Sequence, residues 1–157
     1  MQPSPVDTHS QIAPAEIGRI PATLLEAMHF YGDPDVATRT LAAARWGDAI
    51  ECLHCHSRCR HFYISTRRIW KCRSCRKQFS PKAGTIFEDS PIGLDRWLIA
   101  IWVMGNSDQR ISTYKLHRLL GVTQTTAAFM LRRIRLAMQA RSSASERSAA
   151  SAAAHAR

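Results

Sequence analysis

Cys52-Leu-His-Cys55 and, sixteen residues further on, Cys72-Arg-Ser-Cys75 decide how this chain is read. A Cys-x-x-Cys turn converges two thiolates on one point, and a hairpin between two such turns brings the pairs together as four ligands around one ion. Because protein fills all four positions, no site is left for water or substrate, and the ion, zinc, is structural. The alternative is a thioredoxin-type redox motif, which needs one pair on a βαβ scaffold, not two symmetric pairs. Cys59, His54, His56 and His61 are further ligand types nearby. Cys59 breaks the paired symmetry and is read as a spare thiol, the histidines as surface or hairpin groups.

Between the cysteine pairs, His61–Ser65 and Arg68–Lys71 are short, aromatic and β-branched, which predicts the strands of a ribbon over residues 51–90. So small a unit cannot stabilise itself by its own core. Metal binding supplies about 10–16 kcal/mol of apparent folding free energy in such cases.

Outward toward the N-terminus, residues 1–20 hold Pro3, Pro5 and Pro14 among scattered polar groups, a flexible lead-in. Residues 21–50 form a short helical segment, with helices at Pro21–Phe30 and Asp33–Trp46. Asp33 is placed to cap the second helix and Pro34 suits its first turn. Leu41, Ala44, Val36, Ala37 and Trp46 supply its buried stripe.

Toward the C-terminus, residues 91–140 read as helices ending in a helix-turn-helix. Leu94, Trp97, Leu98, Ile101, Trp102 and Met104 recur at helical spacing, and the two tryptophans on that stripe are read as core. Ser112–Leu120 is followed by Gly121, which permits a sharp turn, and Thr123 caps a third helix running to about Gln139. Leu116, Leu119 and Leu120 are expected against Val122, Ala127, Leu131 and Ile134. A helical wheel puts Ala127, Met130, Leu131, Ile134 and Met138 inward and Thr125, Ala128, Phe129, Arg132 and Arg133 outward. Residues 141–157 are almost all Ala, Ser and Arg and are read as a disordered tail. The alternative is frayed helix, against which the serines count. The fold class expected is therefore α+β: a small β zinc ribbon between an N-terminal helical segment and a C-terminal helix-turn-helix.

The net charge of +10 is unevenly spread. Residues 1–51 carry three basic and seven acidic groups, whereas Cys52–Lys82 carries nine basic groups and no acidic one. Arg110–Arg147 has eight basic residues against Glu146 alone. A charge run is ordinarily a solvated face, but stretches this long and one-signed point to a polyanion such as double-stranded DNA. Residues opening the second helix of a helix-turn-helix reach base edges, so Gln124, Thr125, Ala128 and Arg132 are the candidate readers. Lys115, Arg118, Arg133 and Arg135, with Arg67, Arg68, Arg73, Arg76 and Lys77 of the ribbon, are the candidate phosphate contacts. No leader pattern opens the chain, and its longest apolar run, Trp97–Met104, is far short of the roughly 20 residues that span a bilayer. A cytoplasmic, nucleoid-associated protein without membrane contact or small-molecule substrate is expected. Five cysteines, an odd number, also point to metal before disulfides.

Arg45-Trp-Gly-Asp-Ala-Ile-Glu-Cys52, Lys71-Cys-Arg-Ser-Cys-Arg-Lys-Gln-Phe-Ser80, Gly84-Thr-Ile-Phe-Glu-Asp-Ser90 and Gly121-Val-Thr-Gln-Thr-Thr-Ala127 through Arg132-Arg-Ile-Arg135 occur here in one order. From about Leu24 to Met138 the chain resembles the N-terminal region of bacterial insertion-sequence transposases, which place a zinc ribbon and helix-turn-helix before an acidic-triad catalytic domain. The resemblance implies zinc on Cys52, Cys55, Cys72 and Cys75, and recognition of an element's terminal inverted repeats. Leu53 and His56 stand where the family usually has proline and glycine, and Ala128 where it commonly has tryptophan. Glycine eases a left-handed turn at a zinc knuckle, so His56 is expected to cost about 1 kcal/mol and loosen the site.

Such enzymes need three separated carboxylates to hold divalent metals. Only Glu146 lies beyond Asp108, and Glu88, Asp89, Asp95 and Asp108 do not make a substitute triad. The expectation is a truncated, non-enzymatic DNA-binding fragment with no catalytic residue. Its alternatives are a small zinc-dependent transcriptional regulator and an inhibitor that contacts intact transposase subunits.

Overall fold

The computed structural model describes the backbone of residues 20–107 and 110–154, with side chains up to residue 143. Five helices and three strands follow in the order α1 (Leu24–Tyr31), α2 (Pro34–Trp46), β1 (Phe62–Ile64), β2 (Ile69–Lys71), β3 (Gln78–Phe79), α3 (Leu94–Gly105), α4 (Thr113–Leu120) and α5 (Gln124–Ala154). This is the α+β arrangement expected. The lead-in at 1–19 and Asp108 lie outside the described residues.

Local chemistry sets the helix starts. Thr23 caps α1 by accepting from the Glu26 amide, and Asp33 caps α2 by accepting from the amides of Asp35 and Val36. Ser112 caps α4 through the Lys115 amide, and Thr123 caps α5 through the Thr126 amide. Gly121 ends α4 at φ +62°, a left-handed conformation that a Cβ would strain.

Two apolar clusters organise the molecule. The larger joins all five helices around Trp97, which is fully buried on α3, with Leu116, Met130 and Leu131 also closed off from solvent. α3 touches each of the other four helices, which explains why Ile99, Ala100 and Val103 are buried besides the stripe read from its spacing. Trp102 is half-buried, and its indole N–H donates to the Pro21 carbonyl at 2.9 Å. The smaller cluster belongs to the ribbon and holds Trp70, Phe79, Cys52, Cys72 and Ala42, with Trp46, Ile50, Leu53 and Tyr63 against it. α2 serves both clusters, since Ala37 faces the helices and Ala42 the ribbon.

The sheet is antiparallel in the order β1-β2-β3, with Tyr63 opposite Trp70 and Trp70 opposite Phe79. Period-two alternation puts Trp70 and Phe79 inside and Lys71 and Gln78 outside. Trp46 closes the face of the sheet edge-on to both rings, at 6.2 Å from Trp70 and 5.9 Å from Phe79.

Three expectations are corrected. The segment from Arg141 read as disordered is helical as far as Ala154, continuing α5 well past Gln139. Residues 124–154 contain neither glycine nor proline, alanine has the highest helix propensity, and the Ser142 and Ser143 hydroxyls bond back to the carbonyls of Met138 and Ala140. Met138, expected inward, is 50% exposed because α5 has by then passed the helices that cover its first half. On α2, Ala44 is exposed, while Thr38 is buried with its hydroxyl donating to the Pro34 carbonyl.

Candidate metal centre and nucleic-acid interface

The four cysteine Sγ atoms of residues 52, 55, 72 and 75 lie within 4.8 Å of one another. Cys52 Sγ is 3.7 Å from Cys75 Sγ and Cys55 Sγ is 3.6 Å from Cys72 Sγ. A tetrahedron with Zn–S arms of about 2.3 Å has S···S edges of about 3.8 Å, which these two pairs match, and the full set, within 4.8 Å, closes on that ion by drawing together by about 1 Å at most.

The two halves of the site are built alike. The Cys52 amide donates to the Ser57 carbonyl and the His56 amide to the Cys52 carbonyl; in the second half the Cys72 amide donates to Lys77 and the Arg76 amide to Cys72. Amides of His54 and Cys75 point at the sulfurs of Cys52 and Cys72. Each turn closes on a left-handed residue, His56 at φ +57° and Arg76 at φ +60°. His56, where the resembled family usually has glycine, is thus one of two knuckle positions whose backbone disfavours a side chain.

Burial and hydrogen bonding move the thiols of Cys72 and Cys55 in opposite directions. For Cys72, burial raises the pKa but is outweighed by the amides of Cys75 and Ser74 and the thiols of Cys55 and Cys52, which bring it to about 6. For Cys55, the Ser57 backbone lowers the pKa, but desolvation and the three neighbouring thiols push it up to about 12. A cation releases the remaining protons when all four sulfurs ligate it.

The other candidate ligands stand aside. The Cys59 thiol contacts the Ser74 hydroxyl at 3.5 Å and His61 Nδ1 at 3.8 Å and is not part of the cluster. His61 Nε2 lies 3.1 Å from the carbonyls of both Ile50 and Ser57, and His54 Nε2 lies 3.2 Å from that of Gln78. His56 and Arg58 hold the Glu51 carboxylate from two sides, which lowers its pKa through the His56 hydrogen bond first and that of Arg58 next. The histidines therefore tie the hairpin and its surface together.

His56→Gly should relieve the left-handed strain while giving up only an exposed contact with Glu51. Metal retention is expected to tighten by about 1 kcal/mol, roughly fivefold in a chelator competition. A weaker hold on the metal would show that the Glu51 contact outweighs the strain.

Four cysteine positions on two matched knuckles beside a three-stranded antiparallel sheet define a zinc ribbon, able to bind one metal ion. The transposase zinc-ribbon domain family matches residues 32–78, a span that starts just before α2 and ends in β3. An uncharacterized protein in the transposable element ISH50 of Halobacterium salinarum is 31% identical over 68 residues, covering 42% of this chain and 23% of that protein. The similarity thus spans about a quarter of the relative's own length, at 23%. No solved structure matches the chain significantly. The family match relates the ribbon to transposases, and its start at residue 32 agrees with the packing of α2 into the ribbon core.

The helical pair has its apolar side closed and its polar side open. Gln124, Thr125, Ala128 and Arg132 are all exposed along the start of α5, opposite the buried Ala127, Met130, Leu131 and Ile134. Lys115 and Arg118 are exposed on α4, where Arg118 lies 5.9 Å from the ring centroid of Tyr114, an aromatic left 59% exposed. Arg67, Arg68, Arg73, Arg76 and Lys77 are exposed on the ribbon.

Arg133 and Arg135 are engaged within the fold. Arg133 donates to the carbonyls of Ile86 and Glu88 at 2.9 and 3.1 Å, and Arg135 to that of Ile111 at 3.0 Å. Sequence reasoning missed the reason, which lies in the segment joining ribbon to helices. Arg45 donates to the carbonyls of Pro81 and Ala83, and Lys82 to that of Ser90. Phe87 is buried 5.5 Å from Trp97, whose indole N–H donates to the Ser90 hydroxyl. Cations from α2 and α5 thus grip one connecting segment from both sides. Its irregular backbone, with carbonyls unpaired by any sheet, was the available signal.

Among the described residues no helix is long and apolar enough to cross a membrane.

Proposed function

We propose that this chain is a duplex DNA-binding module of transposase-related origin that reads an element's terminal repeats and performs no strand chemistry of its own. The observation that carries the reading is the exposed row Gln124, Thr125, Ala128 and Arg132 at the start of a helix whose opposite side is locked into the core. In helix-turn-helix proteins this part of the second helix enters the major groove, where it meets base edges. The basic ribbon, carrying one sign of charge from Cys52 to Lys82, supplies sequence-independent attraction to the backbone. The ribbon's metal stabilises the fold and leaves no coordination position for substrate.

Binding is tested by comparing a duplex carrying insertion-element ends with an unrelated duplex of equal length. Preference for the ends supports the reading, whereas occupancy confined to unrelated promoter sequences favours a transcriptional regulator. Strand cleavage and joining are expected to be undetectable with magnesium or manganese. Two-metal chemistry needs carboxylates that place ions about 4 Å apart, and the metal-holding cluster found among the described residues is made of thiols. Nicking by highly purified protein that disappears with Glu88→Ala or Asp95→Ala would overturn the non-catalytic assignment.

A further inference from the structure

A cleft of about 220 Å³ lies where the β1–β2 hairpin tip approaches the starts of α2 and α3. Arg67 and Arg68 of the tip and Lys82 of the connecting segment line it, together with Thr38, Gly93 and Asp95. Three cations thus face a single carboxylate. Among the described residues neither Arg67 nor Arg68 has a hydrogen bond or ion pair through its side chain. Lys82 is anchored by donating to the Ser90 carbonyl at 2.8 Å, which fixes one wall. The hairpin is fixed as well, because the Tyr63 hydroxyl donates to Asp35 on α2 and the Arg39 guanidinium lies 4.9 Å from the Tyr63 ring centroid. Asp95 bends back over Gly93, into the space that a Cβ at residue 93 would need.

We propose that this cleft seats a phosphate group of bound DNA, held between the ribbon hairpin, the connecting segment and the starts of α2 and α3. The assignment rests on the DNA-binding reading above and sharpens it to a place and a chemistry. Guanidiniums that line one cleft without an ion-pair partner repel one another, and an oxyanion between them converts that repulsion into paired, charge-assisted hydrogen bonds. The cleft's volume of about 220 Å³ leaves room for a phosphate beside the three cations, with Pro34 and Leu94 as its apolar walls. Asp95 opposes the anion, so the site is tuned to bind weakly alone and to contribute as one contact among several.

The test uses the zinc-loaded full chain carrying Arg67→Gln with Arg68→Asn, the asparagine chosen because Arg68 sits at φ +53° and asparagine tolerates that conformation. Losing one phosphate contact should flatten the slope of log affinity against log salt by about 0.9. Between 50 and 200 mM salt that lessens the loss of affinity by about 3.5-fold. Interference from ethylating one backbone phosphate should vanish at the same time. Asp95→Asn should instead raise affinity, a gain that loss of a merely structural contact would not produce. Duplex binding with an unchanged slope and an unchanged ethylation pattern overturns the phosphate seat while leaving DNA binding intact. If the parent chain binds no duplex, the function proposed above fails with the seat on DNA, and inorganic phosphate is titrated alone. Saturable binding lost in the double variant then assigns the cleft to a free anion, and no binding removes it altogether.

Discussion

Chelating the metal under reducing conditions should dissolve the ribbon and leave the helices standing. The sheet is three short strands around Trp70 and Phe79, and two of the five residues of its buried cluster are the ligands Cys52 and Cys72. Without an ion their sulfurs lose the interaction that draws both knuckles together, worth about 10–16 kcal/mol in apparent terms, against a core far too small to compensate. The helical cluster around Trp97, Leu116, Met130 and Leu131 shares no residue with the ribbon cluster and should keep most of its signal in far-UV circular dichroism. The ring contacts of Trp46 with Trp70 and Phe79 should be lost with the metal, so tryptophan fluorescence reports the event. Cys72→Ser or Cys75→Ser should reproduce the effect, and Cys59→Ser should be nearly silent. About one zinc per chain is expected in metal analysis. Protein purified reduced, free of zinc and with an intact ribbon would remove the basis of the metal assignment.

The ribbon was legible in the sequence because its chemistry is local. Cys-x-x-Cys fixes each knuckle within a few residues, and the aromatic alternation of β1 and β2 survives in a hairpin whose partners are close in the chain. Helix starts were legible for the same reason, since Asp33, Ser112 and Thr123 cap amides two or three residues away. β3 escaped because two residues show no period, and only pairing with β2 makes Gln78–Phe79 a strand. The long end of α5 was misread by weighing serine against alanine, although no breaker interrupts residues 124–154.

Charge was legible as a quantity and less so as a location. Arg45, Lys82, Arg133 and Arg135 look in sequence like any other basic residues, yet each donates to backbone carbonyls far along the chain or across the connecting segment. Only the folded chain separates cations spent on internal carbonyls from those left to solvent. The separation redistributes the expected DNA contacts toward Lys115, Arg118 and Arg132 on the helices and toward the exposed arginines of the ribbon.

That redistribution sets the expected response of duplex binding to salt and to two neighbouring substitutions. If about six phosphates are neutralised, affinity should fall about a thousandfold between 50 and 200 mM salt, because each contact contributes roughly 0.9 to the slope. Arg132→Ala removes an exposed guanidinium on the face of α5 proposed to read DNA. It should relax preference at one base pair by about 1–3 kcal/mol, while affinity for unrelated duplexes changes little. Arg133→Ala acts differently, because its guanidinium holds the carbonyls of Ile86 and Glu88 and lies 4.9 Å from the Phe129 ring centroid. Losing hydrogen bonds from a charged donor should destabilise the fold by about 1.5 kcal/mol or more, visible as a lowered Tm. It should also loosen the ribbon relative to α5, so a duplex long enough to reach both loses more affinity than one spanning the helix-turn-helix alone. A salt slope near zero would refute the phosphate contacts as a group. An Arg133→Ala chain with unchanged Tm and uniformly weaker binding to every duplex would return that residue to the DNA surface.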